Sequence, residues 1–240
     1  MSVKKHIPNT ITSLNLLCGV IGIWFVFSLE NTRMAFLCML AAVVFDFCDG
    51  LAARLLKAYS EIGKELDSLA DVVSFGVLPS AMMSVTYGHV AGKQDFLAWI
   101  PLMIAVFSAL RLARFNVDER QHESFIGLPT PSCALVCASM CCLIEGEGTV
   151  GPIVGSWWFI PLVSVILCYL LVSGIPMFSF KFGVGHKSDT VTKMKRTAFF
   201  SISAIVIIVV VLLSFPWPAI ILGVLLAYIL ENALSAVFKI

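Results

Sequence analysis

The chain has 240 residues, of which 59% are hydrophobic and 13% charged, and its net charge is +1. Its mean hydropathy is +0.97. Soluble domains carry about 25% charged residues, so this composition excludes a soluble globular enzyme, a disordered chain and a coiled coil. No basic domain suggests nucleic acid as a partner. The long unbroken apolar runs are unlike the short alternating strands of an outer-membrane barrel, which leaves an all-α membrane protein.

Eight segments are predicted as transmembrane helices, because a span needs about 20 mostly apolar residues. They are residues 11–29, 34–56, 62–87, 95–114, 128–145, 156–176, 197–214 and 217–238. A long polar stretch separates the first six segments from the last two, which form a hairpin. We therefore predict a six-helix core at 1–176, a cytoplasmic basic loop at 177–196 and a C-terminal helix pair at 197–240.

The distribution of Lys and Arg predicts the orientation of these helices. If both termini are cytoplasmic, only Arg33 and Lys93 of the 16 basic residues lie on the outer side. Because positive residues concentrate in cytoplasmic loops, this asymmetry supports both the orientation and an even number of helices. Trp157, Trp158 and Trp217 then lie at the outer interface, where amphipathic rings are favoured.

Six of the 15 acidic residues lie between residues 46 and 71. A carboxylate in the middle of a membrane helix costs about 2.5–3.5 kcal/mol on insertion scales, so it marks a candidate functional site. Asp46 and Asp49 are three residues apart, and Asp67 and Asp71 are four apart, so each pair shares one helix face. A short inner turn joins the two helices, and all four carboxylates are therefore predicted to converge at the cytoplasmic end of one cleft.

Converging carboxylates need positive charge if they are to stay ionised at low dielectric. Mg²⁺ or Mn²⁺, which prefer oxygen ligands, are the natural candidates, and paired metal ions serve phosphoryl transfer. Small residues such as Gly50 and Gly63 would let a phosphate-bearing ligand approach the backbone closely.

A structural alternative is a set of interfacial acids that form salt bridges with neighbouring basic residues. The basic residues within this window are Arg54, Lys57 and Lys64. This alternative accounts well for the acids in the turn but poorly for Asp46 and Asp67, which lie within the apolar segments.

The full spacing is Asp46-x-x-Asp49-Gly50-x-x-Ala53-Arg54, eight residues, then Gly63-x-x-x-Asp67-x-x-x-Asp71. At every fixed position it resembles the signature of the CDP-alcohol phosphatidyltransferases. These are membrane enzymes with a six-helix core that transfer a phosphatidyl group from a CDP-linked lipid to an alcohol and release CMP. Eight fixed positions over 26 residues make this signal far more specific than a lone Gly-rich loop.

The resemblance implies roles for individual residues. Asp46, Asp49, Asp67 and Asp71 are expected to hold two divalent metal ions, with Asp71 as the general base. The expected contacts to the CDP moiety are Gly50, Arg54 and Ser60, together with Asn9 and Thr12 from a motif at the start of the first helix. Ordinary helix capping is an alternative reading of these last two residues. The resemblance also implies that the protein forms a homodimer embedded in membrane lipid.

Two arginines at the inner end of the fourth helix, Arg111 and Arg114, are candidates for recognising the acceptor alcohol, and Arg111 is the better candidate because it lies deeper in the helix. Arginine binds carboxylate or phosphate groups bidentately, so the charges fit either serine or a sugar phosphate, and simple anchoring at the membrane interface is a third reading. The Arg-x-x-Arg-Phe-Asn run at 111–116 and the Phe-x-Gly-Leu-Pro-x-Pro run at 125–131 resemble the branch of the family that uses serine.

The resemblance therefore implies CDP-diacylglycerol and L-serine as substrates in the inner membrane of a prokaryote. One alternative is a sibling transferase that uses glycerol phosphate or inositol phosphate. The second is an ion-coupled transporter, because intramembrane acids also mark ion pathways. Against the transporter, the acids cluster in one helix pair, and no matching broken helix is found in a second half of the chain.

Overall fold

The computed structural model describes residues 6–93, 95–117, 125–146, 154, 156–177 and 190–238. Over these residues the protein is a bundle of helices with one very short strand pair. The helices are α1 (His6–Ser28), α2 (Thr32–Leu55), α3 (Glu61–Asp71), α4 (Leu78–Ala91), α5 (Met103–Val117), α6 (Thr130–Ile144), α7 (Phe159–Val172), α8 (Thr190–Leu212) and α9 (Pro218–Phe238). The strands are β1 (Phe125–Ile126) and β2 (Pro176–Met177).

The predicted all-α membrane bundle is confirmed. Five helical runs in the described residues are long and apolar enough to cross a membrane, and three shorter helices are also apolar. These eight runs correspond one to one with the eight predicted segments. The chain is therefore an integral membrane protein, as its composition indicated.

Two segments differ from the prediction in detail. The third predicted helix is one continuous run, as expected, but it extends to Ala91 and contains a π-helix at Val72–Val77 between α3 and α4. Helix α8 begins at Thr190, seven residues before the predicted start at 197, so part of the predicted loop 177–196 is helical. The first part of α8 is polar, so a search for apolar segments does not detect it. Residues 178–189 of that loop lie outside the described residues.

Close packing positions α1 against the π-helix. A Cβ atom on Gly19 would lie 2.9 Å from the Cα atom of Ser74, so only glycine allows this approach. The Ser74 hydroxyl donates a hydrogen bond of 3.0 Å to the backbone oxygen of Asn15. Residues of α1 are thereby held beside Asp71, the residue that precedes the π-helix.

The strand pair joins the segment that precedes α6 to the segment that follows α7. Phe125 pairs with Met177 and Ile126 with Pro176 in antiparallel register. Gly127 follows β1 with a positive φ of 78°, and a Cβ atom there would lie 2.7 Å from the backbone oxygen of Leu171. This turn requires glycine for both reasons. The last helix, α9, packs against α6 and α8.

Candidate active site

Three of the four predicted aspartates converge where α2 and α3 meet. Asp46, Asp49 and Asp67 each offer a carboxylate oxygen, and these oxygens all lie within 4.8 Å of one another. Asp49 is only 6% exposed. Helix α2 and helix α3 present these side chains toward each other, as the spacing on each helix predicted. We call this end of the bundle, where α2 ends and α3 begins, the aspartate end.

Asp71 lies beside this cluster but deeper, at the junction with the π-helix. It is 9% exposed, and its charge interacts with those of Asp46, Asp67 and Asp49. The Asn15 Nδ2 atom donates a long hydrogen bond of 3.4 Å to Asp71 Oδ1. π-helical turns often occur at functional sites, and here the turn follows directly after the predicted general base.

The carboxylates fit a site for divalent cations. Asp49 Oδ2 and Asp67 Oδ1 are buried and have no hydrogen-bond partner. Among the described residues, no Lys or Arg forms an ion pair within 4.0 Å of any of the four aspartates. The structural alternative of interfacial salt bridges therefore does not account for them. Buried carboxylate oxygens without donors are ligands that a hard cation can satisfy.

A cavity of about 390 Å³ opens directly beside Asp49 and Asp67. All five residues that were predicted to contact the CDP moiety line it: Asn9, Thr12, Gly50, Arg54 and Ser60. The cavity also has Tyr59 and Lys64 in its wall, which the resemblance had not singled out. Polar and basic side chains therefore surround a space that adjoins the acidic cluster, as a diphosphate-bearing ligand would require.

The wall of this cavity depends on a close approach of α1 to α3. A Cβ atom on Gly63 would lie 2.8 Å from Asn9 Oδ1 and 2.9 Å from Ser60 Oγ. Ser60 is the N-cap of α3, and its hydroxyl accepts a hydrogen bond of 3.0 Å from the backbone N–H of Gly63. Ser60 thus has a structural role in addition to lining the cavity.

The other two polar residues of the cavity are held by the helices that carry them. Arg54 Nε donates to the backbone oxygen of Gly50 at 3.0 Å, which leaves its other guanidinium nitrogens available to a ligand. The Thr12 hydroxyl donates a hydrogen bond of 3.0 Å to the backbone oxygen of Pro8. Thr12 also lines the same cavity as Asp49, so the first helix contributes to the wall beside the acidic cluster.

The structure gives different surroundings to Arg111 and Arg114, of which the sequence favoured Arg111. Arg111 is 7% exposed, and its Nη1 donates a hydrogen bond of 3.1 Å to the Thr130 hydroxyl of α6. Its Nε and Nη2 atoms are buried without a partner. Arg114 is exposed, and its Nη1 lies 3.5 Å from the backbone oxygen of Val172. Of these two arginines, only Arg111 has buried donors without an acceptor.

Sequence reasoning missed the side chain that contacts the predicted base. Asn15 was not proposed for any role, although it lies three residues after Thr12 and four before Gly19. All three residues are buried. This helical spacing of small and polar residues was the signal that could have identified it.

Comparison with known proteins agrees with this geometry. Residues 5–168 match the model of the CDP-alcohol phosphatidyltransferase family. The chain therefore belongs to this family of membrane enzymes, as the motif had indicated.

Relatives in bacteria and archaea carry a more specific name. A Bacillus subtilis protein is 34% identical over 178 residues, which cover 74% of this chain and 92% of the relative. A Mycobacterium bovis protein is 37% identical over 182 residues, covering 71% and 60% of the two chains. A Methanocaldococcus jannaschii protein is 33% identical over 177 residues, covering 72% and 75%. All three are named CDP-diacylglycerol–serine O-phosphatidyltransferase.

Proposed function

We propose that this protein transfers the phosphatidyl group of CDP-diacylglycerol to the hydroxyl of L-serine and releases CMP. The observation that carries this proposal is the convergence of Asp46, Asp49 and Asp67 beside a cavity lined by all the predicted CDP contacts. The names of the relatives support serine as the acceptor. The long apolar helices support a lipid substrate whose acyl chains stay in the bilayer.

Two divalent ions, Mg²⁺ or Mn²⁺, would be held by Asp46, Asp49, Asp67 and Asp71. When bound, they would neutralise the diphosphate and the departing CMP. The unpartnered oxygens of Asp49 and Asp67 support this assignment, because they have no donor of their own. Arg54 and Lys64, which line the cavity, would add positive charge at the nucleotide.

In the proposed reaction, the serine hydroxyl attacks the phosphorus next to diacylglycerol. The new bond joins the serine oxygen to phosphorus, and the bond from phosphorus to the CMP oxygen breaks. Asp71 accepts the serine proton, and CMP leaves with the electron pair. Asn15 Nδ2 donates a hydrogen bond to Asp71 Oδ1 and helps to orient that carboxylate. Positioning and electrostatics account for most of the rate in transfers of this kind.

Arg111 is the better candidate for the serine carboxylate. Its two buried, unpartnered donors lie in a side chain whose charge interacts with that of Asp71. Arg114, which is exposed, is more consistent with anchoring at the membrane interface, where long basic side chains reach water.

The membrane placement is part of the proposal. The charge distribution supports a cytoplasmic aspartate end and cytoplasmic termini in the inner membrane of a prokaryote. A reporter in residues 181–196 should be inaccessible from outside intact cells, and one in residues 146–155 should be accessible. Labelling of the first segment from outside would refute this orientation. The three-part division of the chain and the homodimer remain predictions.

The experiment that tests the function is CMP release by the purified protein with a panel of alcohols. Serine should support release with CDP-diacylglycerol, chelation should abolish it, and Mg²⁺ or Mn²⁺ should restore it. Release with glycerol phosphate or inositol phosphate but not with serine would identify a sibling transferase. Absence of CMP release with every alcohol would favour the transporter alternative.

A further inference from the structure

One hydrogen bond from the start of α6 anchors the guanidinium of Arg111. The Arg111 Nη1 atom donates to the Thr130 hydroxyl at 3.1 Å, and the two side chains are buried, with exposures of 7% and 0%. A hydrogen bond from a charged donor is stronger than one between neutral groups. The long side chain of Arg111, on α5, therefore has a defined point of attachment on a different helix.

This anchor leaves one complete edge of the guanidinium open. Nη1 lies on the side of Cδ, so the N–H groups of Nε and Nη2 point in the same direction along the other edge. Both atoms are buried, and neither has a hydrogen-bond partner among the described residues. Buried donors are almost always satisfied in proteins. Two parallel N–H donors match a carboxylate, whose two oxygens can accept from both at once.

The backbone around Thr130 fixes the position of its hydroxyl. The Leu128 N–H donates to the backbone oxygen of Leu170 at 2.9 Å, which joins this segment to α7. Thr130 itself lies between Pro129 and Pro131, and the proline rings fix the φ angle on each side of it. The hydroxyl therefore has little freedom to follow a moving arginine, so it can serve as a fixed acceptor.

We propose that Thr130 is a positioning residue of the acceptor subsite, and that its hydroxyl holds Arg111 with the Nε–Nη2 edge toward the carboxylate of the acceptor. This inference rests on the proposed function, because it takes serine as the source of that carboxylate. Without the hydroxyl, the guanidinium keeps its charge but loses its fixed orientation. Because a preorganised group binds more tightly than a mobile one, loss of the hydroxyl should weaken serine binding and leave the chemical step unchanged.

The test is the serine dependence of CMP release by Thr130→Val in the full-length protein. We expect the serine KM to rise about three- to tenfold, as for loss of one hydrogen bond, with kcat and the KM for CDP-diacylglycerol unchanged. The matched control is Thr86→Val. Thr86 is equally buried, and its hydroxyl donates to Glu145 at 2.6 Å, at the other end of α6. This control should keep the wild-type serine KM.

A second pair of variants isolates the hydroxyl oxygen. Thr130→Ser keeps the hydroxyl and should keep a serine KM close to that of wild type, whereas Thr130→Ala should raise it as Thr130→Val does. This pair also decides the question if Thr130→Val does not fold. Equal serine KM values in Thr130→Ser and Thr130→Ala would overturn the inference, as would an equal rise in Thr86→Val.

A double variant tests whether Thr130 acts through Arg111. If it does, the serine KM of Arg111→Lys/Thr130→Val should rise less than the product of the two single effects. Fully multiplicative effects would show that the two residues act independently, and the positioning role would then be wrong.

Failure of the proposed function would be seen separately, in the wild-type protein. If the wild type uses glycerol phosphate and not serine, serine is the wrong acceptor. The same variants compared on glycerol phosphate, whose phosphate would occupy the place of the carboxylate, then support or overturn the role of Thr130 by the same criteria.

Discussion

At the aspartate end, three carboxylates converge, and two of their buried oxygens have no donor. Where α6 ends, in contrast, the Glu145 carboxylate is surrounded by donors. Thr86 donates to Glu145 Oε1 at 2.6 Å, Thr32 donates to Oε2, and His89 Nδ1 lies 3.4 Å from Oε1. This second end of the bundle, where Glu145 meets the start of α2 and the last turns of α4, we call the opposite end.

The contrast distinguishes an acidic side chain with a structural role from one that is suited to binding a ligand. Glu145 joins α2, α4 and α6, and its charge is stabilised by the protein itself. Asp49 and Asp67, in contrast, have buried oxygens without partners, which is costly unless a cation binds. The number of available donors, and not the presence of an acid in an apolar bundle, therefore distinguishes the two ends.

The largest effect is expected at the aspartate end. Asp67→Asn removes one charge and keeps the shape of the side chain, and it should lower the rate of CMP release at least about 100-fold because a metal ligand is weakened. Glu65→Gln is the matched control: it makes the same change of charge on the same helix at an exposed position, and it should stay close to wild type. Near-normal activity of Asp67→Asn would contradict the metal site.

Arg111→Lys should affect acceptor use next most strongly. Lysine keeps the charge but loses the planar fork, and a charge-assisted hydrogen bond contributes about 1.5–3 kcal/mol, so the serine KM should rise about ten- to a hundredfold. The KM for CDP-diacylglycerol should change little. Arg114→Lys, measured in parallel, should raise the serine KM less, because Arg114 is exposed. If Arg114→Lys has the larger effect, the assignment of the carboxylate to Arg111 is wrong.

At the opposite end, substitution should change stability and not catalysis. Glu145→Gln replaces one carboxylate oxygen, which accepts a hydrogen bond from a threonine hydroxyl, by an amide group that can only donate. The free energy of unfolding should therefore fall by about 1–3 kcal/mol. Thermal denaturation in detergent measures this change, and the serine KM of the folded protein should equal that of wild type. The control is Glu30→Gln, since Glu30 is exposed and, among the described residues, its carboxylate has an ion pair only with His89, at 3.9 Å. A large loss of specific activity in Glu145→Gln would contradict a purely structural role for Glu145.

The smallest effect is expected at Asp95, between α4 and α5. Hydrogen bonds from Lys93 and Tyr87 hold the pKa of Asp95 below its usual value. A carboxyl with a lowered pKa in the folded state stabilises the protein above the unfolded pKa of about 3.9 and loses this contribution as the pH falls through the folded pKa. Asp95→Asn should therefore melt slightly below wild type at pH 7, and the difference should vanish in acid. A difference in melting temperature that grows as the pH falls would refute this.

The sequence by itself determined the class of protein, the eight apolar helices and the grouping of the aspartates. Hydropathy depends only on the composition of a continuous run, so helices such as α2 could be predicted to within two residues at each end. The pairing of Asp46 with Asp49, and of Asp67 with Asp71, follows from helical spacing within one segment. The CDP contacts were predictable only because the motif resembles a known family.

Only the tertiary structure decided which side chains meet across helices. The contact of Asn15 with Asp71 joins residues 56 positions apart, and the hydrogen bond from Arg111 to Thr130 joins α5 to α6. The sequence favoured Arg111 over Arg114 because it lies deeper in the helix, but it could not show which of their donors are buried without a partner. This depends on how each helix is rotated about its axis when it packs against its neighbours, because that rotation decides which side chains are buried and what they contact.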